Sequence, residues 1–185
     1  MQHWSRSQFF DDTHLPWTNP SPNLRSLTAA TLYPGLGMLD STNVSVGRGT
    51  DKPFEQIGAP YIEAPALATY LTKRNIPGVS FSPTTFTVAE DSNHYPSHGK
   101  TIPGIALTLT DRNLLDSPEL GIEIISALQR LYPTQFNLAK TEPLIASVNT
   151  SLSLKNNEDP RTIAAAWKTE LDGFRQRRQA YLLYP

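Results

Sequence analysis

The chain has 185 residues, enough for one domain with its own hydrophobic core, and its net charge of −1 gives no basis for binding a polyanion such as nucleic acid. Cysteine is absent, which excludes disulfides, thiolate zinc sites and cysteine nucleophiles. No apolar run approaches the roughly 18 residues that a membrane-spanning helix requires. With 16 prolines and only 18% charged residues, the composition favours many ordered loops over a helical bundle.

The pattern of residues 1–25 predicts an extended arm that docks on the domain formed by residues 26–185. Pro16, Pro20 and Pro22 favour extended backbone, and the aromatic residues of the arm follow no helical or strand period. These aromatic residues are Trp4, Phe9, Phe10 and Trp17. Two interpretations of residues 17–23 remain open: a loop that lines a sugar-binding cleft, and a hydrophobic clasp.

Local signals along the domain predict the order α, β, β, α, β, β, α, α. The predicted elements are a helix at 27–33 ended by Pro34, strands at 36–39 and 54–62, a helix at 64–74, strands at 79–88 and 102–111, a helix from Ser117 to Tyr132, and a last helix that begins at Asp159. Between the last two helices, a loop and a short helix near 144–148 remain alternatives. Consecutive strands favour antiparallel pairing, and helices then cover one face. The sequence therefore predicts a single α+β domain with a mixed, mainly antiparallel sheet.

The densest group of chemically active residues lies between Leu39 and Pro60. Gly47 and Gly49 flank Arg48; glycine allows close approach of a ligand to the backbone, and arginine offers a rigid fork of donors. The nearby polar and acidic residues are Asp40, Ser41, Thr42, Asn43, Ser45, Asp51 and Glu55. This mixture suits a neutral or anionic ligand that is rich in oxygen, such as a sugar or a carboxylate.

The same Gly-Arg-Gly segment is also consistent with a tight turn between two strands, in which Arg48 pairs with Glu55. It is neither a phosphate-binding Walker loop nor a dinucleotide fingerprint, because the required Gly-Lys-Ser/Thr and third glycine are missing. His94 and His98 have the spacing of two helical metal ligands. Pro96 and Gly99 oppose a helix there, however, so we predict an ordinary surface loop and no metal site.

Several motifs then match a known family in order and spacing. They are Pro20-Ser-Pro-Asn-Leu24, Leu32-Tyr-Pro-Gly35, Thr42-Asn-Val-Ser-Val-Gly-Arg-Gly-Thr50, Pro53-Phe-Glu-Gln-Ile-Gly-Ala-Pro60, Phe81-Ser-Pro83, Gly104 to Arg112, Leu131-Tyr-Pro133, Trp167 and Tyr181-Leu-Leu-Tyr184. The chain resembles the C-terminal region of the bacterial exo-β-N-acetylmuramidases, formerly a domain of unknown function. The resemblance implies a glycoside hydrolase of peptidoglycan degradation and cell-wall recycling that releases N-acetylmuramic acid from the non-reducing end of peptidoglycan fragments.

In that family a Rossmann-like domain precedes this region, the active-site cleft lies between the two, and the main catalytic carboxylate belongs to the first domain. The resemblance therefore implies a substrate-cleft half that needs no cofactor and is inactive alone, with a separate Rossmann-like domain as a possible partner. Family members are usually exported to the cell envelope, although this chain shows no signal-peptide core. The family usually has Glu-Gly-Thr-Asn where this chain has Asp40-Ser-Thr-Asn43.

Glycoside hydrolysis generally requires two carboxyl groups, about 5 Å apart in retaining enzymes and further apart in inverting ones. The chain offers Asp40 and Glu55 as weak catalytic candidates, whose alternative roles are a turn or cap acid and the partner of Arg48.

Substrate contacts are the stronger expectation. Arg48 would hold the lactyl carboxylate of N-acetylmuramic acid, and the remaining candidates would bind hydroxyls or the acetamido group. These candidates are Asn23, Asn43, Gly47, Gly49 and Thr50. The alternative function is a non-catalytic muropeptide- or sugar-binding module, or a degenerate fragment without activity.

Overall fold

The computed structural model describes residues 5–92 and 94–183, and its centre is a three-stranded antiparallel sheet with the spatial order β1-β3-β2. The strands are β1 (Gln56–Gly58), β2 (Val79–Thr87) and β3 (Thr101–Leu109). The helices are α1 (Leu27–Leu36), α2 (Ala64–Lys73), α3 (Ser117–Leu131), α4 (Glu142–Ile145), α5 (Val148–Lys155), α6 (Pro160–Ala166) and α7 (Lys168–Arg178). The predicted α+β class with an antiparallel sheet is confirmed.

The two faces of the sheet have different partners, because side chains alternate across a strand. One face contributes Val79, Phe81, Ile105 and Leu107 to the main core, together with helices α1, α2 and α3. The opposite face carries a small cluster of Phe86, Val88 and Ile102, against which Tyr95 packs. Helices therefore cover one face, as predicted, while loops border the other.

The predicted end of α1 at Pro34 is wrong, because the helix continues to Leu36. The Ser117 hydroxyl accepts a hydrogen bond from the Gly35 amide at 3.0 Å and donates one to the Leu32 carbonyl at 3.0 Å. These two bonds satisfy backbone groups near the proline, which interrupts the regular helical pattern. Gly121 of α3 packs directly on Gly35, so close helix packing stabilises a turn that the local sequence disfavours.

Several other boundaries differ from the sequence predictions. Residues 37–39 form a 3₁₀ turn instead of a strand, and the strand expected at 54–62 is restricted to β1, since Phe54 has a φ of +61°. The last helix is divided at Trp167 into α6 and α7, and α4 and α5 replace the single short helix expected near 144–148. The predictions for α2, α3, β2 and β3 are confirmed with small differences at their ends.

The N-terminal arm includes a 3₁₀ turn at Phe10–Thr13 and contacts the domain through polar groups. Arg112 Nη1 lies 2.7 Å from the Asp11 carboxylate, and the Arg112 guanidinium lies 4.0 Å from the centre of the Phe9 ring. Trp17 Nε1 donates to the Leu24 carbonyl at 3.2 Å. Trp4 and Tyr184 lie outside the described residues. Within the described part of the chain, no helix has both the length and the apolarity to cross a bilayer.

An ion cluster fastens α2, α3 and the start of α6 together. Arg74 bonds both oxygens of Glu123, at 2.7 and 2.8 Å, and both oxygens of Asp159, at 2.9 and 3.0 Å. The Glu123 side chain is only 7% exposed, so its charge depends on this partner. Removal of one member of a buried pair leaves an uncompensated charge, which is far more destabilising than loss of an exposed pair.

We expect Arg74→Met to lower the free energy of unfolding by about 3 kcal/mol, because Glu123 loses both hydrogen bonds from Arg74 and keeps only Arg161 Nε, at 4.0 Å. Urea unfolding monitored by circular dichroism measures this loss. Arg175→Ala is the matched control, since Arg175 pairs with Asp172 on an exposed helix face; its effect should stay below about 0.5 kcal/mol. Equal effects of the two variants would contradict the assigned role.

The Asp159 carboxylate makes part of the stabilisation by this ion cluster dependent on pH. Hydrogen bonds from Arg74 lower its pKa below the ordinary value of 3.8, so the stabilisation is present above that value and is lost as the pH falls through the folded-state pKa. Asp159→Asn removes the charge and retains an oxygen that caps Arg161. We expect a cost below about 1 kcal/mol at pH 7, because the side chain is 48% exposed, and a smaller difference from wild type below pH 4. A difference independent of pH would contradict this origin.

Candidate binding surfaces at the 47–53 turn

Residues 47–53 form the turn of a hairpin whose arms are held by backbone hydrogen bonds. Ser45 and Gly58 exchange two such bonds, at 2.8 and 2.9 Å, and the Phe54 amide donates to the Val46 carbonyl at 2.8 Å. Gly47 has a φ of +78°, and a Cβ atom there would lie 2.6 Å from the Lys52 carbonyl oxygen. Glycine is therefore required at this position for the turn itself.

Thr50 closes the turn with its hydroxyl. This hydroxyl donates to the Gly47 carbonyl at 2.6 Å and accepts from the Lys52 amide at 3.1 Å and from Gln56 Nε2 at 2.9 Å. The predicted substrate contact by the Thr50 hydroxyl thus competes with three bonds inside the protein. The turn interpretation of the Gly-Arg-Gly segment describes this part of the structure.

Arg48 pairs with Asp40, so the expectation that it pairs with Glu55 is wrong. Arg48 Nη2 lies 2.6 Å from Asp40 Oδ2, and the guanidinium carbon lies 5.4 Å from the ring centre of Phe54 and 5.5 Å from that of Tyr95. The Arg48 and Asp40 side chains are 27% and 24% exposed, so both reach the surface. The 3₁₀ turn at 37–39 brings Asp40 to this position, which strand periodicity did not predict.

Glu55 is held by a different group. Its Oε1 atom accepts a hydrogen bond from the Ser26 hydroxyl at 2.5 Å, and that hydroxyl also caps α1 by accepting from the Ala29 amide at 2.9 Å. No hydrogen bond between described residues joins the Asp40 and Glu55 carboxyl groups. The two weak catalytic candidates are thus fixed by separate partners.

The Asp40 carboxyl is electrostatically unusual. Burial raises its pKa above the ordinary value of 3.8, although the neighbouring Arg48 charge acts in the opposite direction. A carboxyl group with a raised pKa keeps its proton to a higher pH, and this is a property that proton donors in glycosidases require. Asp40 therefore has one attribute of a general acid, while its contact with Arg48 favours the charged form.

The two predicted asparagines have different positions. Asn23 Nδ2 donates to the Tyr95 hydroxyl at 3.2 Å, which connects the N-terminal arm to the ring beside Arg48. Asn43 is engaged by the loop after α3: its Nδ2 donates to the Gln135 carbonyl at 2.7 Å and its Oδ1 accepts from the Asn137 amide at 3.1 Å. The structure therefore brings Asn23, but not Asn43, to the ring that packs on Arg48.

We call the group formed by Asn23, Asp40, Arg48, Phe54 and Tyr95 the Arg48 cluster. Sequence reasoning missed Phe54 and Tyr95 as members, although Phe54 lies in the most distinctive motif and Tyr95 follows His94 in a polar loop. The His94 ring lies 4.0 Å from the Tyr95 ring. No group of three or more metal-ligating side chains occurs in the described ranges 5–92 and 94–183.

An open cleft of about 740 Å³ lies beside the same turn. Its lining residues are Arg25, Gly49, Thr50, Asp51, Lys52, Gln56, Thr84, Thr85, Phe86, Thr87, Ala89, Asp91 and Ser92. Of the predicted site residues, Gly49 and Thr50 line this cleft and Arg48 does not. The threonines of β2 are the sequence feature that could have indicated the cleft. Their position beside the turn cannot be predicted without the pairing register of the strands.

Comparisons with known proteins show which family the chain is similar to. The family described as Exo-beta-N-acetylmuramidase NamZ, C-terminal, matches residues 31–184. Peptidoglycan beta-N-acetylmuramidase NamZ of Bacillus subtilis (strain 168) is 34% identical over 187 residues, an alignment that covers 100% of this chain and 44% of that protein. The chain thus spans less than half the length of this relative.

Two crystal structures of DUF1343 family proteins from Bacteroides fragilis NCTC 9343 are also similar. One, at 1.65 Å resolution, aligns with a TM-score of 0.86 at 23% identity over 98% of this chain and 49% of that chain, which shows the shared fold. The other, at 1.30 Å, aligns with a TM-score of 0.66 at 26% identity over 90% and 43% of the two chains. With its family match over most of its length, the chain belongs to the family of C-terminal regions of the exo-β-N-acetylmuramidase NamZ.

Proposed function

We propose that this chain forms the substrate-binding wall of an exo-β-N-acetylmuramidase, which releases N-acetylmuramic acid from the non-reducing end of peptidoglycan fragments. The observation that carries the proposal is the 47–53 turn, which lies within the family match, carries the partly exposed Arg48–Asp40 pair and lines an open polar cleft. The Bacillus subtilis relative is a peptidoglycan β-N-acetylmuramidase, which supports peptidoglycan as the source of the ligand.

Arg48 is the group that would distinguish N-acetylmuramic acid from N-acetylglucosamine, since only the former carries a lactyl carboxylate. Asp40 engages Nη2, and Nε is buried without a hydrogen-bond partner in the part of the chain that the structure describes. No hydrogen bond between described residues uses Nη1, and the side chain is 27% exposed, so we propose that Nη1 binds the ligand. The Asp40 carboxylate would compete with the lactyl carboxylate for the same guanidinium, so Asp40 would limit the affinity for N-acetylmuramic acid.

Hydrolysis requires a catalytic carboxyl group from outside the described residues. Asp40 and Glu55 are held by Arg48 and Ser26, respectively, and a glycosidase requires two carboxyl groups directed at one glycosidic bond. We infer that a catalytic carboxyl comes from a Rossmann-like domain, either within a longer protein or as a separate partner. The described residues would then supply binding and orientation of the sugar.

A second candidate function is a muropeptide- or sugar-binding module that does not hydrolyse its ligand. The engagement of both candidate carboxylates by groups of their own chain favours this alternative. Addition of the N-terminal domain of the Bacillus subtilis relative distinguishes the two functions. Restored hydrolysis supports the enzyme half, and continued binding without turnover supports the module.

We expect the 185-residue chain alone to bind N-acetylmuramic acid without hydrolysing a chromogenic β-N-acetylmuramide. Release of the chromophore is followed by absorbance, and binding is followed by chemical-shift changes in NMR spectra. Turnover that disappears in Glu55→Gln would show that the chain contains its own catalytic carboxyl group and would overturn the proposed division of labour.

We expect Arg48→Ala to weaken binding of N-acetylmuramic acid about tenfold, because a charge-assisted hydrogen bond is lost, and to change binding of N-acetylglucosamine little. Isothermal titration calorimetry measures both affinities. Arg112→Ala is the matched control, since Arg112 also pairs with an aspartate and packs on an aromatic ring.

A further variant separates recognition from folding in this experiment. Asp40→Asn removes the carboxylate that competes for Arg48, so it should tighten binding of N-acetylmuramic acid relative to N-acetylglucosamine. Equal losses for both sugars in Arg48→Ala, or no change in their ratio in Asp40→Asn, would eliminate the role assigned to Arg48.

A further inference from the structure

The outer edge of β2 carries backbone groups that no described strand uses. β2 lies at the edge of the sheet and, within residues 5–92 and 94–183, pairs with β3 alone. The Gly78 carbonyl accepts from the Thr110 amide at 2.9 Å, and the Val88 amide donates to the Lys100 carbonyl at 3.1 Å. The direction of the backbone N–H and C=O groups alternates along an antiparallel strand. In β2 these groups point toward β3 at even-numbered residues and away from the sheet at odd-numbered residues.

The part of this edge that lines the cleft is short, because it lies between Pro83 and Ala89. Pro83 has no amide hydrogen, and the Ala89 amide already donates to the Gly49 carbonyl at 3.0 Å. Between them only Thr85 and Thr87 direct both an amide and a carbonyl outward, and no hydrogen bond between described residues engages these outward groups. Both threonines are exposed and line the cleft beside the 47–53 turn.

The chemistry of this gap matches a single secondary amide. An amide group has one N–H donor and one carbonyl acceptor, the same pair that the next strand of a sheet would present. A two-residue edge is too short for a peptide strand, which uses several residues. The charged side chains that line the cleft are two cations and two anions, Arg25, Lys52, Asp51 and Asp91, so the cleft suits a neutral group.

We infer that the free edge at Thr85 and Thr87 recognises the 2-acetamido group of an amino sugar that lies in the cleft. This inference rests on the proposed function, which supplies the ligand class: N-acetylmuramic acid is followed in peptidoglycan by N-acetylglucosamine. Arg48 would bind the lactyl carboxylate of N-acetylmuramic acid, and the β2 edge would bind the acetamido group of the neighbouring N-acetylglucosamine. The two threonines are thus specificity-determining through their backbone groups.

Thr85→Pro tests this role, because it removes the outward amide hydrogen and no hydrogen bond to β3. Pro83 already occupies a position of the same strand at which the backbone amide would point away from β3. The fold therefore tolerates proline at this kind of position. Thr85→Val is the matched control, since it removes the hydroxyl and keeps the amide. Circular dichroism and urea unfolding of both variants verify that the domain remains folded.

The probe is the disaccharide N-acetylmuramyl-β-1,4-N-acetylglucosamine, with an analogue in which glucose replaces the N-acetylglucosamine. We expect Thr85→Pro to weaken disaccharide binding about fivefold, Thr85→Val to leave it within twofold, and neither variant to affect the glucose analogue. Equal effects of both variants, or equal loss for both ligands in Thr85→Pro, would overturn the inference alone. Failure of the wild-type chain to bind N-acetylmuramic acid and the disaccharide would overturn the proposed function as well.

Discussion

The Thr50 hydroxyl holds the 47–53 turn closed, and both candidate binding surfaces depend on that turn. Its bonds to Gly47, Lys52 and Gln56 fix the backbone on either side of Arg48. On this frame the Arg48 side chain meets Asp40, Phe54 and Tyr95, while the Gly49 carbonyl reaches the end of β2 and blocks one end of its free edge. One short hairpin turn therefore positions a charged cluster and one side of a polar cleft.

The sheet has two unequally packed faces, and the cleft beside the turn lies along the edge strand β2, where residues of both faces line it. Helices bury Ile105 and Leu107 on one face, which supplies most of the hydrophobic stabilisation. The opposite face needs only the small Phe86 cluster to remain ordered. Thr84 and Phe86 line the cleft from that face, and Thr85 and Thr87 line it from the other.

Local sequence patterns correctly predicted those elements whose own preferences agree with their tertiary packing. The spacing of apolar residues located α2 and α3, and alternation located β2 and β3. The end of α1 was missed because Ser117, 82 residues further along the chain, replaces the hydrogen bonds around Pro34. The partner of Arg48 was missed because a 3₁₀ turn places Asp40 beside it, and the cleft was missed because its edge depends on strand register. The motif itself nevertheless indicated the family, which the comparisons confirm.

A crystal structure of the 185-residue chain with N-acetylmuramyl-β-1,4-N-acetylglucosamine tests the central claim most directly. We expect the lactyl carboxylate to lie within hydrogen-bond distance of the Arg48 guanidinium and the neighbouring sugar to lie in the cleft lined by Gly49 and Thr85. A disaccharide bound elsewhere, with the Arg48–Asp40 pair and the β2 edge both without ligand contacts, would contradict it.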